Sequence, residues 1–234
     1  MRSTNRVIVA VACLALAALS CQALSNLGGG GETPGPGIPD IDLPSSDVII
    51  DDDFSSVSWG TGTDADSSVE YANDALQVIV YTQNYYVWST PNDEDYENIH
   101  MDVTVTNNNT DPTTAFGFMC HQQVVSDSFY YFAITPAGQY AIAKATVGQA
   151  TDLFLTNDDK WEYSDAITAN ASSYRIGADC GNGTLTLYVD GQQVDSVSDS
   201  SYTNGGVGLF VWSGEEVASA NVTFDDFLMT ELGQ

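Results

Sequence analysis

The feature that most constrains this chain is a period of two in hydrophobicity, which recurs in short segments from residue 48 onward. In the segment NIHMDVTVT, the apolar and polar residues fall on opposite faces of an extended chain. The apolar set is Ile99, Met101, Val103 and Val105, and the polar set is His100, Asp102, Thr104 and Thr106. This alternation is typical of a half-buried strand. No stretch after residue 44 shows a helical period over three turns, so the chain is predicted to be all-β.

Further short strands are predicted between clusters of Asn, Gly, Asp and Pro. The segment GTLTLYVDG places Leu185, Leu187 and Val189 inward and ends in Asp190-Gly191, which favours a two-residue hairpin. The other predicted strands are VIIDDDF, ALQVIVY, AFGFMCHQQ, SFYYFAITP, QYAIAKAT, SYRIGADC, GGVGLFVWS and ANVTFDDFLMTEL. Roughly a dozen short strands must hide their edges, and at this size they do so in a two-sheet jelly-roll sandwich.

Residues 1–20 have the order of a secretory signal peptide. Arg2 and Arg6 precede an uncharged apolar run that ends at Ser20. This run is too short to span a bilayer as a helix, which takes about 20 residues. The segment AALSC resembles the lipobox of bacterial lipoproteins, in which the cysteine is lipidated and becomes the first residue of the mature protein. Cys21 is therefore the predicted lipid attachment site. The alternative is ordinary cleavage that releases a secreted protein.

Residues 21–44 are predicted to be a flexible linker between the lipid anchor and the folded domain at 45–234. The tract GGGGETPGPGIPDIDLP combines flexible glycine with extended proline, and it lacks the apolar content of a core. Acyl chains hold a protein at a membrane without a spanning helix, because each buried CH₂ contributes about 0.8 kcal/mol. The protein is thus expected to be exported and anchored by its N-terminal lipid at the cell envelope.

The charge of the chain is strongly acidic. Its formal net charge is −27, from 5 Lys+Arg and 32 Asp+Glu. A field of this sign repels phosphate backbones, so no nucleic-acid partner is expected, and it attracts metal cations. The alternative is that the acidity keeps an exported protein soluble or reflects a saline habitat, with no ligand involved.

Two cysteines, Cys120 and Cys180, lie in the predicted folded domain. In an oxidising compartment they are predicted to form one disulfide, which stabilises a loop of this size by about 4 kcal/mol. Two cysteines are too few for a structural zinc site. Cys120 shares a strand face with Phe116 and Phe118, and this places it toward the core.

The order of the motifs along the chain is also informative. It runs DDF, AFGFMCHQQ, SFYYFAITPAGQYAIAKA, WEYSDAI, YRIGADCGNGTLTLYVDGQQV, GGVGLFVWS and VTFDDFLM. Over residues 48–231 this order resembles the concanavalin A-like lectin/glucanase superfamily, and within it the laminin-G-like and 3-keto-disaccharide-hydrolase-like domains of exported bacterial proteins. The resemblance implies one convex and one concave sheet, with the concave face binding sugar in those relatives that bind sugars.

A catalytic site is not expected from the carboxylates. Glucanases of this superfamily place alternating acidic residues on one strand, so that two carboxylates converge about 5 Å apart. The nearest match is DEDYENIH, with Asp93, Asp95 and Glu97, but it begins with Asp and the proline just upstream indicates a loop. Glu215 and Glu216 are adjacent and point to opposite faces of an extended chain. A glycoside hydrolase therefore remains an alternative suggested by the fold alone.

Two acidic segments are candidates for a calcium site, although the protein is expected to require no cofactor. They supply Asp52 and Asp53 near the start of the domain and Asp225 and Asp226 near its end. Calcium takes several oxygen ligands at about 2.3–2.6 Å. The resemblance implies that first and last strands pair, and relatives often hold a structural ion there. The alternative is a plain polar face on edge strands.

Four aromatic residues are candidates for sugar contacts. They are Tyr86, Trp88, Trp161 and Trp212, whose rings can stack on pyranose faces. Core packing is the competing interpretation for each of them. The expected function is a non-catalytic, lectin-like sandwich that binds glycans or envelope components, and a structural protein-interaction module is a further alternative.

Overall fold

The described part of the chain consists of β-strands joined by turns and loops. The computed structural model describes residues 47–109, 111–149, 151–156, 160–214 and 219–233. These residues contain no helix that is long and apolar enough to cross a membrane. Their sixteen strands form two sheets in which every pair is antiparallel, so the predicted all-β, two-sheet jelly-roll sandwich is confirmed. The predicted signal peptide, Cys21 and the linker lie outside the described residues.

The larger sheet has nine strands and contains both the first and the last strand. Its strands are β1 (Val48–Asp52), β2 (Gly62–Thr63), β3 (Ser67–Tyr71), β4 (Leu76–Val80), β6 (Ile99–Asn107), β12 (Tyr174–Gly181), β13 (Thr184–Val189), β14 (Gln192–Ser198) and β16 (Ala220–Glu231). Their order is β14, β13, β12, β6, β16, β4, β3, β2, and β1 also pairs with β16. The first and last strands are therefore neighbours, as expected.

The smaller sheet has seven strands. They are β5 (Tyr86–Ser89), β7 (Ala115–Gln123), β8 (Ser128–Ile134), β9 (Gln139–Thr146), β10 (Leu153–Phe154), β11 (Glu162–Tyr163) and β15 (Gly206–Trp212). Their order is β10, β9, β8, β7, β15, β5, and β11 pairs with β9 beside β10. Strands β7 and β15 therefore occupy the interior of this sheet.

Strict alternation in the sequence correctly predicts which side chains enter the core between the sheets. The inward residues of β6 and β13 are at most 1% exposed, namely Ile99, Met101, Val103, Val105, Leu185, Leu187 and Val189. The hairpin after β13 also has the predicted form. Asp190 and Gly191 have φ angles of 50° and 76°, and two consecutive positive values are what a type I′ turn requires.

A disulfide between Cys120 and Cys180 joins the two sheets. Cys120 belongs to β7 and Cys180 to β12, and both are fully buried in the core. The predicted bond is therefore confirmed. Because it links residues separated by 60 positions, it removes much of the conformational freedom of the unfolded chain.

Removal of this bond is expected to destabilise the domain without changing its fold. The double variant Cys120→Ala/Cys180→Ala should lose about 4 kcal/mol of unfolding free energy, since the unfolded chain regains loop entropy. Urea denaturation followed by tryptophan fluorescence measures this loss. An unchanged midpoint would contradict a stabilising role for the link between the sheets.

Candidate functional site

Small residues form a floor on the outer face of the seven-stranded sheet. In β7, β8 and β9, one set of alternate residues enters the core and the other set points away from it. The outward set includes Ala115, Gly117, Ala133, Ala141 and Ala143, and the four alanines are almost completely buried. A Cβ atom at Gly117 would overlap the carbonyl oxygen of Phe132, so this position admits no larger residue.

Aromatic side chains cover this floor and form what we call the aromatic face. It comprises Tyr86, Trp88, Phe129, Tyr131, Phe154, Trp161, Phe210 and Trp212. The rings of Trp161 and Trp212 are stacked, with centroids 6.4 Å apart and planes 16° apart. Tyr86 stacks on Phe210 at 4.9 Å and 6°. The rings therefore form a connected surface rather than separate exposed residues.

The structure brings all four sequence-predicted sugar contacts together on the aromatic face. Tyr86, Trp88, Trp161 and Trp212 are half-buried and belong to the outer cluster, not to the core between the sheets. The indole nitrogen of Trp212 donates a hydrogen bond to Oδ1 of Asn84 at 3.1 Å, which fixes the orientation of its ring. Each of these side chains is thus partly packed and partly exposed.

The aromatic face contains a polar group that the sequence does not reveal. The Tyr131 hydroxyl donates to Oδ2 of Asp152 at 3.0 Å. The nearby hydroxyl of Tyr86 is buried and has no hydrogen-bond partner among the described residues. Burial, and to a smaller extent the charge of Asp152, raise the pKa of Tyr86 well above its usual value. A buried hydroxyl without a partner costs about 1–3 kcal/mol, which a hydrogen bond to this atom would recover.

Asp152 lies at the rim of the aromatic face. The residue as a whole is exposed, yet partial burial of its carboxylate raises its pKa, an effect that the hydrogen bond from Tyr131 opposes. Strands β5, β7, β8, β9 and β15, which form most of this sheet, contain no Asp or Glu. Among the described residues, Asp152 is a carboxylate that accepts a hydrogen bond from an aromatic side chain of this face.

Comparison with known proteins identifies the fold. No protein-family model and no curated protein matches the sequence. Among solved structures, the carbohydrate-binding module CBM66 from Bacillus subtilis is similar, with a TM-score of 0.56 and 12% identity over 74% of this chain and 96% of that chain. The Bacillus licheniformis beta-glucanase has a TM-score of 0.54 and 14% identity over 81% and 100%. A Bacillus subtilis protein of unknown function with a galectin-like fold has a TM-score of 0.57 and 9% identity over 79% and 96%.

The chain has the concanavalin A-like jelly-roll fold. This result confirms the fold that the order of the sequence motifs implies. At identities of 9–14%, the similarity shows the fold alone. The function of this concanavalin A-like sandwich therefore depends on the side chains of its site and does not follow from the fold.

Among the described residues, the carboxylates considered for catalysis in the sequence lie in the loop before β6. Asp93, Asp95 and Glu97 are exposed in the loop before β6, in agreement with the prediction of a solvated loop. Glu215 and Glu216 lie outside the described residues. A glycosidase needs two carboxylates about 5–9.5 Å apart across the bond that it cleaves.

The aspartates predicted to bind calcium make local hydrogen bonds. Asp52 accepts from the backbone nitrogen of Phe54 at 2.8 Å and from the indole of Trp59 at 3.1 Å, and it thereby stabilises the turn after β1. Asp53 accepts from the nitrogen of Ser55, and Asp225 from that of Asp226. The pairing of β1 with β16 places the two segments in neighbouring strands. The calcium site stays a prediction.

One other cluster of potential metal ligands occurs within the described ranges. The side chains of Cys120, His121 and Cys180 lie within 4.8 Å of one another. The two sulfurs are bonded in the disulfide and supply no thiolate. The ring nitrogens of His121 lie 3.1 and 2.8 Å from the carbonyl oxygens of Tyr202 and Glu97. His121 therefore holds two loops together and has no free nitrogen for catalysis.

His100 forms an ionic cluster on the solvent face of the nine-stranded sheet. Its Nδ1 lies 2.6 Å from Asp179 and its Nε2 lies 3.0 Å from Asp102. Hydrogen bonds to Asp102 and Asp179 raise the pKa of His100 to about 9, so the imidazole is charged at neutral pH. Tyr188 donates to the other oxygen of Asp179 at 2.8 Å. Both nitrogens are occupied, and the cluster ties β6 to β12 and β13.

The stability of the domain is expected to decrease as the pH rises toward 10. The His100 pKa is raised from 6.5 to about 9, so its contribution is complete below pH 6.5 and is lost as the pH passes through 9. Unfolding free energy should fall by an amount on the order of 2 kcal/mol over this range. The variant His100→Gln should show little of this fall in urea denaturation at pH 6.5, 8 and 9.5. Equal pH slopes in both proteins would contradict the assignment.

Proposed function

We propose that the aromatic face binds glycans and that the protein is a non-catalytic, lectin-like protein. The observation that carries this proposal is the stacked pair Trp161 and Trp212, with Tyr86 and Trp88 on the same face and a floor of small residues below. Each of these four residues is half-buried, so its ring is both fixed by packing and accessible to a ligand.

The chemistry of a sugar ring matches such a surface. The C–H groups of a pyranose form an apolar patch with a positive edge, and the face of an aromatic ring carries negative charge density. Several fixed rings therefore bind successive sugars at little cost in side-chain entropy. The Asp152 carboxylate and the Tyr86 hydroxyl at this face supply hydrogen-bonding groups for sugar hydroxyls.

The similar solved structures support a glycan ligand in general terms. One is described as a carbohydrate-binding module and another as a beta-glucanase, and both share the fold of this chain. Between these two classes, binding is favoured here. Five strands that form most of the sheet below the aromatic face lack Asp and Glu, whereas hydrolysis requires a pair of carboxylates.

Loss of either stacked tryptophan is expected to weaken glycan binding strongly. Trp161→Ala and Trp212→Ala should each weaken binding by about tenfold or more, because each removes a stacking surface. Tyr81→Ala is the matched control, since Tyr81 is 46% exposed and follows β4 in the other sheet. The measurement is a glycan array with the full-length chain in detergent, in calcium and again in chelator.

The outcomes of the array separate the candidate functions. Binding that survives both tryptophan substitutions would overturn the assignment of the aromatic face. Shortening of a bound oligosaccharide would favour the hydrolase. A complete absence of signal under both ionic conditions would contradict glycan binding and favour a protein-interaction module.

We further propose that Cys21 carries a lipid that anchors the domain at the cell envelope. This proposal rests on the segment AALSC and on the Gly/Pro-rich tract that follows. Cys21→Ser should move the protein from the membrane fraction to the soluble fraction and abolish incorporation of labelled palmitate. Cys13→Ser is the matched control, because Cys13 lies within the predicted leader and should leave both properties unchanged. A Cys21→Ser protein that still incorporates the label would contradict the anchor.

A further inference from the structure

We propose that Tyr86, Tyr131 and Asp152 form a polar recess that restricts the aromatic face to uncharged glycans. The inference rests on the proposed glycan-binding function and adds to it the chemical class of the ligand. Its basis is a carboxylate that is held beside a buried hydroxyl without a partner.

Three separate elements converge at the recess. Tyr86 begins β5, Tyr131 lies in β8, and Asp152 immediately precedes β10. The rings of Tyr86 and Tyr131 meet edge to face with centroids 6.4 Å apart. The Tyr131 hydroxyl donates its proton to Oδ2 of Asp152 at 3.0 Å, which fixes the carboxylate relative to the rings. The position of the charge is therefore built into the sheet rather than left to a mobile side chain.

The hydrogen-bonding groups of the recess define what a ligand must present. An ionised carboxylate only accepts hydrogen bonds, whereas a tyrosine hydroxyl both donates and accepts. Within the described part of the chain, Oδ1 of Asp152 makes no hydrogen bond, and the Tyr86 hydroxyl is buried without a partner. A sugar hydroxyl satisfies both groups by donating its proton to Asp152 and accepting the proton of Tyr86.

An anionic sugar cannot make these hydrogen bonds in the recess. A ligand carboxylate or sulfate has no proton to donate, and its charge has the same sign as that of Asp152. The repulsion acts at contact distance, where the Tyr131 hydroxyl holds the Asp152 carboxylate beside the rings. Partial burial of the carboxylate raises the pKa of Asp152, while the hydrogen bond from Tyr131 opposes this effect.

The net charge of the chain provides a second source of repulsion that the test must remove. A net charge of −27 disfavours every anionic ligand from a distance. This long-range effect is screened at 1 M salt, where the Debye length is about 3 Å, whereas contact with Asp152 is not. Selectivity against anionic glycans that persists at high salt is therefore caused by the recess.

The experiment compares matched pairs of one oligosaccharide, with and without a uronic acid, sialic acid or sulfate, on an array in 1 M NaCl. The full-length protein should bind the uncharged members at least about tenfold more tightly than the charged members. Asp152→Asn should reduce this ratio to about threefold or less, because its amide donates to an anion. Asp74→Asn is the control, since it makes the same change of charge in an exposed turn of the other sheet.

A second variant tests whether the Tyr86 hydroxyl contributes to the binding of uncharged glycans. Tyr86→Phe keeps the ring stacked on Phe210 and removes only the buried oxygen, so it should weaken binding of uncharged members several-fold. Tyr81→Phe should leave that binding unchanged. Equal binding of charged and uncharged members by the wild-type protein, or an unchanged ratio in Asp152→Asn, would overturn the recess while leaving glycan binding intact. Absence of binding to every member would overturn both proposals.

Discussion

Contact between two sheets that each bury one face is the constraint on which the rest of the structure depends. The nine-stranded sheet meets it simply, because its strands alternate and leave a polar face for water. The seven-stranded sheet does not, since every residue of β8 after Ser128 is apolar and the strand is buried on both faces. Its outer face must therefore be covered, and the chain covers it with its own aromatic rings. The candidate site is a direct consequence of a sheet that is apolar on two sides.

The same distinction explains how much of the molecule is readable from the sequence. Strict alternation predicts β6 and β13 and the residues that they bury, and the Asp190-Gly191 turn follows from its backbone requirement. In SFYYFAI every residue is apolar except the first, so the pattern predicts a strand but not which residues face outward. Phe129 and Tyr131 were missed as members of the site for this reason. Strands β3 and β14 are also absent from the predicted set, because such segments gain their structure from neighbours that are distant in sequence.

Contacts between residues that are distant in the sequence also decide which aromatic and acidic residues belong to the candidate site. The four predicted sugar-contact residues lie together, although Trp161 and Trp212 are far apart in the chain and nothing local predicts their stacking. Asp152 has no distinguishing motif, and its significance follows from the proximity of Tyr131. In contrast, Asp52 is an ordinary turn residue by its contacts, which agrees with the abundance of aspartate in loops of this sequence. Asp52 thus stabilises a local turn, whereas Asp152, as we propose, selects the ligand.

The alanines under the aromatic face set its height. Ala141 and Ala143 lie beneath rings that belong to other elements, so those rings sit as close to the backbone as the sheet allows. A single added methyl group at either position lifts the platform without altering any residue that a ligand touches. The height of the aromatic face consequently depends on the small residues beneath the rings and can differ between sequences that keep the same rings.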